Sequence, residues 1–191
     1  GHLGTGRLGP RLRRGGVREG LGRGWLEVQH DPVAVLASLR RQDELAGDKG
    51  IRAVILAGQS EKSMIGGADI KEMAKLDQKS AEAFITRLRD LCEAVRRFPA
   101  PVIARLPGWC LGGGLEVAAA CDFRIAAHDA KFGMPEVRVG IPSVIHAALL
   151  PRLIGWGRAR WLVMTAENID APTALNWGLV DLVAKPGELD A

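Results

Sequence analysis

Apolar and polar positions along this chain alternate between two kinds of pattern. Short aliphatic runs at residues 51–58, 101–106 and 123–127 are typical of buried strands. Apolar positions three and four residues apart predict helices at residues 33–45, 80–99, 116–121, 144–155 and 157–166. Residues 171–184 then predict a short helix, a glycine stop and a last strand. Because strands alternate with helices, the pattern predicts an α/β fold with largely parallel strands.

The predicted helix at residues 80–99 has the clearest boundaries. Ser80 is a favourable N-cap residue, and Glu82 lies one position short of the place that completes a capping box. Pro99 is expected to end the helix.

The first 24 residues differ in composition from the rest, with nine Gly, six Arg and a single acid. They contain too few large apolar side chains to bury enough surface for an ordered structure. We therefore predict that residues 1–32 form an Arg/Gly-rich arm without regular structure, and that residues 33–191 form one domain. A mitochondrial transit peptide would share the arginines but would be rich in serine, which residues 1–24 lack. A frame error in this part of the gene is a third alternative.

Composition excludes several classes of protein. The 191 residues, 47% of them hydrophobic and 25% charged, suit one globular domain with a sizeable core. A net charge of +4 is too small to favour a nucleic-acid partner. No apolar run is long enough to span a bilayer. The five tryptophans are expected to lie mostly in the core, without a stacking pattern.

Cysteine and histidine spacing gives no sign of a metal site or a disulfide framework. Cys92, Cys110 and Cys121 show no CxxC spacing and lie in apolar surroundings, as is typical of buried thiols in a reducing compartment. No two of the four histidines have the i, i+4 spacing of a zinc site. We predict no metal and a cytoplasmic location, or the mitochondrial matrix in a eukaryote.

Two glycine-rich stretches follow apolar runs, at Gly66–Gly67 and at Gly112–Gly114. A glycine turn leaves backbone N–H groups open, and a helix start adds unsatisfied donors and a positive dipole end. Two such N–H groups aimed at one oxygen would form an oxyanion hole. Neither stretch matches the phosphate-binding patterns GxGxxG or GxxxxGK[ST], so nucleotide binding is not favoured.

Two acids stand in apolar surroundings near these glycines. Glu116 follows the triplet at Gly112–Gly114 and is followed in turn by the apolar run VAAAC, so its helix is predicted to be buried. Glu136 is flanked by apolar residues as well. An acid near a helix start is often only a favourable dipole partner. A buried carboxylate, however, needs a partner or a catalytic task.

Three segments resemble successive motifs of the enoyl-CoA hydratase/isomerase, or crotonase, superfamily. They are GGADIKEM, PVIARLPGWCLGGGLEVAAACDFRIAA and AKFGMPEVRVGIP, and the resemblance covers about residues 51–183. It implies a crotonase-like spiral of ββα units, commonly assembled as homotrimers or dimers of trimers. It also implies that the protein binds acyl-CoA thioesters and stabilises a thioester enolate, with coenzyme A as part of the substrate and no separate cofactor.

The resemblance also implies roles for single residues. The backbone N–H groups of Ala68 and Gly113 are the oxyanion donors, and a side chain at Gly113 would obstruct the thioester. Glu116 and Glu136 hold a water and move protons as it adds across the C2–C3 double bond, and which acts as base stays open. Both acids together favour a hydratase over isomerases that keep one acid. The positions expected to line the substrate are Gly67, Asp69, Ile70, Gly112, Pro135 and Gly140.

The chain departs from the family pattern in three places. Residues 1–32 hold nothing like the family's NRPxxxNAL segment, which lines the adenine pocket. SVIHAALL at residues 143–150 replaces a glycine-rich GAGGTQRL run, and His146 is expected to pack between helices or to approach the acyl pocket. The family's C-terminal helical block is expected to be missing. The alternatives to a hydratase are therefore an isomerase, a thioester hydrolase, or a catalytically impaired binder whose basic arm contacts RNA.

Overall fold

A computed structural model of the chain describes residues 25–28, 51–58, 60–65, 73 and 75–190. The strands of these residues are β1 (Trp25–Val28), β2 (Val54–Gly58), β3 (Ser63–Ile65), β4 (Val102–Leu106), β5 (Trp109–Leu111), β6 (Phe123–Ala127), β7 (Lys131–Gly133), β8 (Ile169–Asp170) and β9 (Leu182–Ala184). The helices are α1 (Gln78–Arg96), α2 (Gly113–Ala120), α3 (Leu150–Ile154), α4 (Trp156–Thr165) and α5 (Ala171–Trp177), with 3₁₀ helices at Pro135–Val139 and His146–Leu149.

The strands form two sheets, and the chain passes repeatedly from one to the other. One sheet has the order β1-β2-β4-β6-β9 and is parallel throughout. The second has the order β3-β5-β7-β8, in which only β8 runs antiparallel to its neighbour. The pairs β4–β5 and β6–β7 each contribute one strand to each sheet and are each followed by a helical segment. This arrangement confirms the predicted α/β fold built from ββα units.

Helix α2 is the most deeply placed of the described helices, as its apolar sequence predicts. Seven of its eight residues are buried, from Gly114 to Ala120. It packs against α1 on one side and against the 3₁₀ helix His146–Leu149 on another. A helix this short is not stable alone, so burial between these elements must stabilise it. Its start is thereby held in a fixed place inside the protein.

The start of α1 differs from the sequence prediction. The N-cap is Asp77, and Ser80 is the third residue of the helix. The Ser80 N–H donates to Oδ1 of Asp77 at 2.8 Å, and the Asp77 N–H donates to Oγ of Ser80 at 2.9 Å. The two side chains thus complete a capping box in which a serine takes the place usually held by Glu or Gln.

Strand β1 corrects part of the prediction for residues 1–32. Trp25–Val28 pair in parallel with Ile55–Gly58 of β2, so these four residues are not irregular. Trp and Val favour extended backbone, and the free edge of β2 supplies the hydrogen bonds. The other residues of that segment, and the helix predicted at residues 33–45, lie outside the described residues.

The tryptophans are less buried than predicted. Trp109, Trp156 and Trp161 are 46%, 67% and 41% exposed. Trp161 also stacks edge-on against Trp177, with ring centroids 5.7 Å apart. The described core is built instead from aliphatic side chains, Phe132 and three buried free thiols, those of Cys92, Cys110 and Cys121. None of the helices in the described part of the chain is both long and apolar enough to cross a membrane.

Candidate active site

Two neighbouring parallel strands bring the glycine triplet and Glu136 together. Leu111 at the end of β5 pairs with Gly133 at the end of β7. The Gly112 N–H extends this pairing by donating to the Gly133 carbonyl at 2.9 Å. Because the carboxyl ends of parallel strands meet at one edge of a sheet, the helix start after β5 lies beside the 3₁₀ helix after β7. Residues more than 20 positions apart in sequence therefore share one site.

Gly112 meets two requirements that other residues do not meet. Its φ of 54° and ψ of −127° lie in a region that L side chains rarely adopt. A Cβ atom on Gly112 would also lie 2.7 Å from Oε1 of Glu136, inside van der Waals contact. The Glu136 carboxylate therefore lies directly over the Gly112 backbone, and only glycine leaves it that room.

Gly113 opens α2, and its N–H is one of the first four in the helix, which have no partner within the helix. A Cβ atom on Gly113 would lie 2.9 Å from Cδ2 of Leu88 on α1. Gly113 thus allows α2 to pack closely against the Leu88 side chain of α1. That its lack of a side chain leaves room for the substrate stays a prediction.

Glu116 is almost fully buried, with 4% of its surface exposed. Its Oε1 accepts a hydrogen bond from the Ala147 N–H at 2.9 Å. Burial raises its pKa to about 7, and the negative charge of Glu136 adds to the rise. Hydrogen bonds from the backbone of Ala147 and Ile145 favour the charged form and oppose that rise. Glu116 is thus placed to exchange a proton near neutral pH.

Glu136 is half-buried on the 3₁₀ helix Pro135–Val139. Burial raises its pKa, while hydrogen bonds from its own backbone and from Ser143 oppose the rise. Its Oε2 is buried and has no hydrogen-bond partner among the described residues. A buried carboxylate oxygen without a partner is costly, and such groups are concentrated at functional sites.

The two carboxyl groups form a coupled pair beside one helix start. Each has a pKa raised by burial, and the charge of Glu136 raises the pKa of Glu116 further. Because the charge of Glu136 acts on Glu116, loss of a proton from one group makes loss from the other harder. Such a pair can take a proton from one reacting atom and give a proton to another.

The other predicted site residues divide into two groups. Pro135 is half-buried at the start of its 3₁₀ helix, and Gly140 ends that helix with a φ of 71° at an exposed position. Gly67, Ala68, Asp69 and Ile70 lie outside the described residues. Across the residues that the structure describes, no cluster of three or more His, Cys, Asp or Glu side chains is placed to hold a metal ion.

The structure adds a contact that the sequence did not predict. His146 is 7% exposed, and its Nε2 lies 3.0 Å from Oε1 of Glu93 on α1. Both residues line a cavity of about 480 Å³ between α1 and residues 144–152. The prediction that His146 packs between helices is confirmed. No sequence signal links it to Glu93, which lies 53 positions earlier.

The geometry agrees with the comparisons to known proteins. A family model described as Enoyl-CoA hydratase/isomerase matches residues 28–190, so the chain belongs to this family. It is 43% identical over 147 residues to the short-chain-enoyl-CoA hydratase of Clostridium acetobutylicum, covering 76% of this chain and 56% of that protein. It is also 43% identical over 143 residues to the crotonyl-CoA hydratase of Syntrophomonas wolfei, covering 74% of this chain and 55% of that protein.

A solved structure gives the same result for the fold. The chain superposes on Pseudomonas aeruginosa DspI with a TM-score of 0.84 and 33% identity, covering 90% of this chain and 68% of that one. Against the two hydratases, the chain spans little more than half the length of the curated relatives that it matches.

Proposed function

We propose that this protein is an enoyl-CoA hydratase, a hydro-lyase that adds water across the C2–C3 double bond of a 2-enoyl-CoA thioester. The observation that carries the proposal is the pairing of Glu116 and Glu136 at the start of α2. Both carboxyl groups have pKa values raised by burial, and Oε2 of Glu136 is buried without a described partner. These are the properties expected of a pair that holds a water and moves its protons.

In the proposed reaction the pair begins with one proton. The ionised carboxylate takes a proton from water as the water oxygen bonds to C3. The protonated carboxyl gives its proton to C2, so the pair again carries one proton but on the other member. Which residue is the base stays open, because members of a coupled pair can exchange roles.

The negative charge of the intermediate grows on the thioester oxygen. We assign to the Gly113 N–H, which lies at the positive end of α2, the role of opposing that charge. We assign the second N–H to Ala68 on the strength of the sequence motif, since that residue lies outside the described part. Losing one such donor typically lowers the rate by about 10²–10³. The same proposal requires an acyl-CoA substrate and no separate cofactor.

The names of the relatives support a short acyl chain. One is a short-chain-enoyl-CoA hydratase and another a crotonyl-CoA hydratase. We propose a short-chain 2-enoyl-CoA as the substrate on this basis. Assembly as a homotrimer or dimer of trimers, the cytoplasmic or matrix location and the division of the chain near residue 32 stay predictions.

Product analysis tests the proposal and separates its alternatives. The purified protein is incubated with crotonyl-CoA while the absorbance of the conjugated thioester is followed. A hydratase lowers this absorbance and yields a 3-hydroxyacyl-CoA heavier by one water. An isomerase yields a product of unchanged mass, and a hydrolase releases free coenzyme A that a thiol reagent detects. Either of these products, or no turnover, would contradict the proposal.

A further inference from the structure

The segment 145–147 holds Glu116 from one side and contacts α1 from the other. The backbone N–H groups on either side of His146, those of Ile145 and Ala147, both stabilise the Glu116 carboxylate. The His146 side chain meets α1, where Nε2 contacts Oε1 of Glu93. His146 therefore connects the backbone segment that donates hydrogen bonds to Glu116 with α1, a helix that does not contain Glu116.

Glu93 is itself held in place. Its Oε1 also contacts Nη1 of Arg96 at 2.8 Å, and its Oε2 lies 3.3 Å from Nη2 of Arg97. The hydrogen bond with His146 is the largest cause of the lowered pKa of Glu93, with that from Arg96 next. The acceptor at this contact is accordingly an ionised carboxylate.

The ionised acceptor determines which nitrogen of His146 carries hydrogen. A carboxylate only accepts, so Nε2–H must donate to Glu93. Nδ1 is buried and has no partner among the described residues. The ring therefore serves as a structural donor through Nε2.

We propose that His146 is a positioning residue for Glu116: its hydrogen bond to Glu93 fixes the Ile145–Ala147 backbone whose N–H groups orient the Glu116 carboxylate. The inference rests on the proposed function for its effect on rate, but its effect on Glu116 is independent of any reaction. His146 does not touch the reacting atoms in this account. Ala147 N–H is bonded directly to the carbonyl carbon of His146, so anchoring the side chain limits movement of the donor.

Several charged groups surround this contact and bear on its pH dependence. Arg89 and Arg96 of α1 and Arg152 of α3 line the same cavity, and Glu116 lies on the α2 side. Removing the Glu93 charge would therefore alter the local field as well as the hydrogen bond. A clean test must change the hydrogen bond while keeping the charge constant.

Two matched pairs of variants meet that condition. H146L removes the donor, while H146Q keeps a donor near the position of Nε2. E93A and E93Q both remove the negative charge, but only E93Q keeps an acceptor for His146. An exposed histidine, His128, supplies the control H128L. Thermal unfolding of each variant establishes that it is folded before comparison.

The direct readout is the Glu116 carboxyl pKa, measured by ¹³C NMR titration and assigned with E116Q. Loss of backbone hydrogen bonds to a carboxylate raises its pKa. We expect the pKa of Glu116 to rise by about one pH unit in H146L relative to H146Q, and in E93A relative to E93Q. H128L should leave it unchanged. If H146L does not fold, the comparison of E93A with E93Q still tests the inference.

The second readout is the rate of hydration. We expect kcat to fall about ten- to hundredfold in H146L, with KM within about twofold, since the substrate still binds and only the proton-handling group is misplaced. H146Q should recover most of this loss. An unchanged Glu116 pKa in both matched pairs would overturn the inference. A shifted pKa in a protein without hydratase activity would instead overturn the proposed function and leave the positioning role standing.

Discussion

Two helix starts in this fold, those of α1 and α2, are built in opposite ways. Helix α1 begins at the exposed Asp77, whose side chain and that of Ser80 satisfy each other's backbone N–H groups. Helix α2 begins at Gly112 without any side-chain cap, and seven of its residues are buried. The first start uses its side chains to stabilise the helix. The second leaves its first N–H groups without side-chain partners among the described residues.

The difference shows how stability and chemistry are separated in this protein. A cap such as that of α1 would contribute about 1 kcal/mol at α2 as well. It would also occupy the N–H groups that the proposed reaction needs. At α2 the carboxylate of Glu136 lies over Gly112, and Glu116 lies one turn into the helix. Changes at the start of α2 should therefore affect activity, and changes at the start of α1 should affect stability alone.

The largest expected effect comes from removing either carboxyl group at α2. E116Q and E136Q should each lower kcat for hydration by about 10²–10⁴, because acid–base assistance in this range is lost while shape is kept. Steady-state kinetics with crotonyl-CoA measure the effect. If either glutamine variant turns over crotonyl-CoA at the wild-type rate, the start of α2 does not have the catalytic role that distinguishes it from the start of α1.

The pH dependence of stability should show the buried charge at α2. The pKa of Glu116 is about 7 in the folded protein, against the ordinary value of 4.5 for a glutamate side chain. Its folded form therefore binds more protons between these values, and stability present below pH 4.5 is lost as pH rises through 7. The loss should amount to about 3 kcal/mol in the free energy of unfolding. The raised pKa of Glu136 likewise lowers stability as the pH rises.

Urea unfolding at pH 5 and pH 8 checks this prediction. E116Q has no titrating group at this position, so it should lose less stability than the wild type over that interval. D90N is a suitable control, since Asp90 is exposed and pairs only with Arg89 in the described contacts. If the free energy of unfolding depends on pH equally in the wild type and in E116Q, the pKa of Glu116 is not raised in the folded protein.

Gly112→Ala should cost both stability and activity. The positive φ is expected to cost about 1–3 kcal/mol, and the new Cβ displaces the Glu136 carboxylate. Gly155 has a φ of 81° with nothing within 4 Å of its Cβ direction, so G155A pays the backbone strain alone. Denaturation and kinetics on both variants separate the two effects. If G155A loses as much activity as G112A, contact with Glu136 is not the cause.

Asp77→Ala should have the smallest effect, about 1 kcal/mol in the free energy of unfolding, through loss of the capping box of α1. Its kcat should stay within about twofold of the wild type, because no contact among the described residues joins Asp77 to Glu116 or Glu136. Urea denaturation and the hydration assay measure the two quantities. A large loss of activity without loss of stability would show that the start of α1 contributes to the chemistry.

Much of the fold was predictable because it is encoded locally. The aliphatic runs at residues 51–58, 101–106 and 123–127 contain β2, β4 and β6. The start of α1 was misplaced by three residues, since both Asp77 and Ser80 are good caps and only geometry shows which one precedes the helix. The prediction that the tryptophans are mostly buried was wrong because residue type alone does not specify which face of β5 or of α4 is covered.

The candidate site also has parts that the local sequence predicts and parts that it does not. The sequence marked Glu116 and Glu136 through their motifs, and the structure brings both to the start of α2. Their environment was not predictable, because it depends on contacts between distant segments. The Ala147 N–H lies 31 positions from Glu116, and the contact of His146 with Glu93 spans 53. Neither contact has a local pattern.

The most direct test of the contrast between the helix starts is one assay on two variants. The value of kcat/KM for hydration of crotonyl-CoA is measured for D77A and E136Q, each at equal concentration of folded protein. We predict a value within about twofold of the wild type for D77A and a loss of about a hundredfold or more for E136Q. Wild-type activity in E136Q, or equal losses in both variants, would contradict the account.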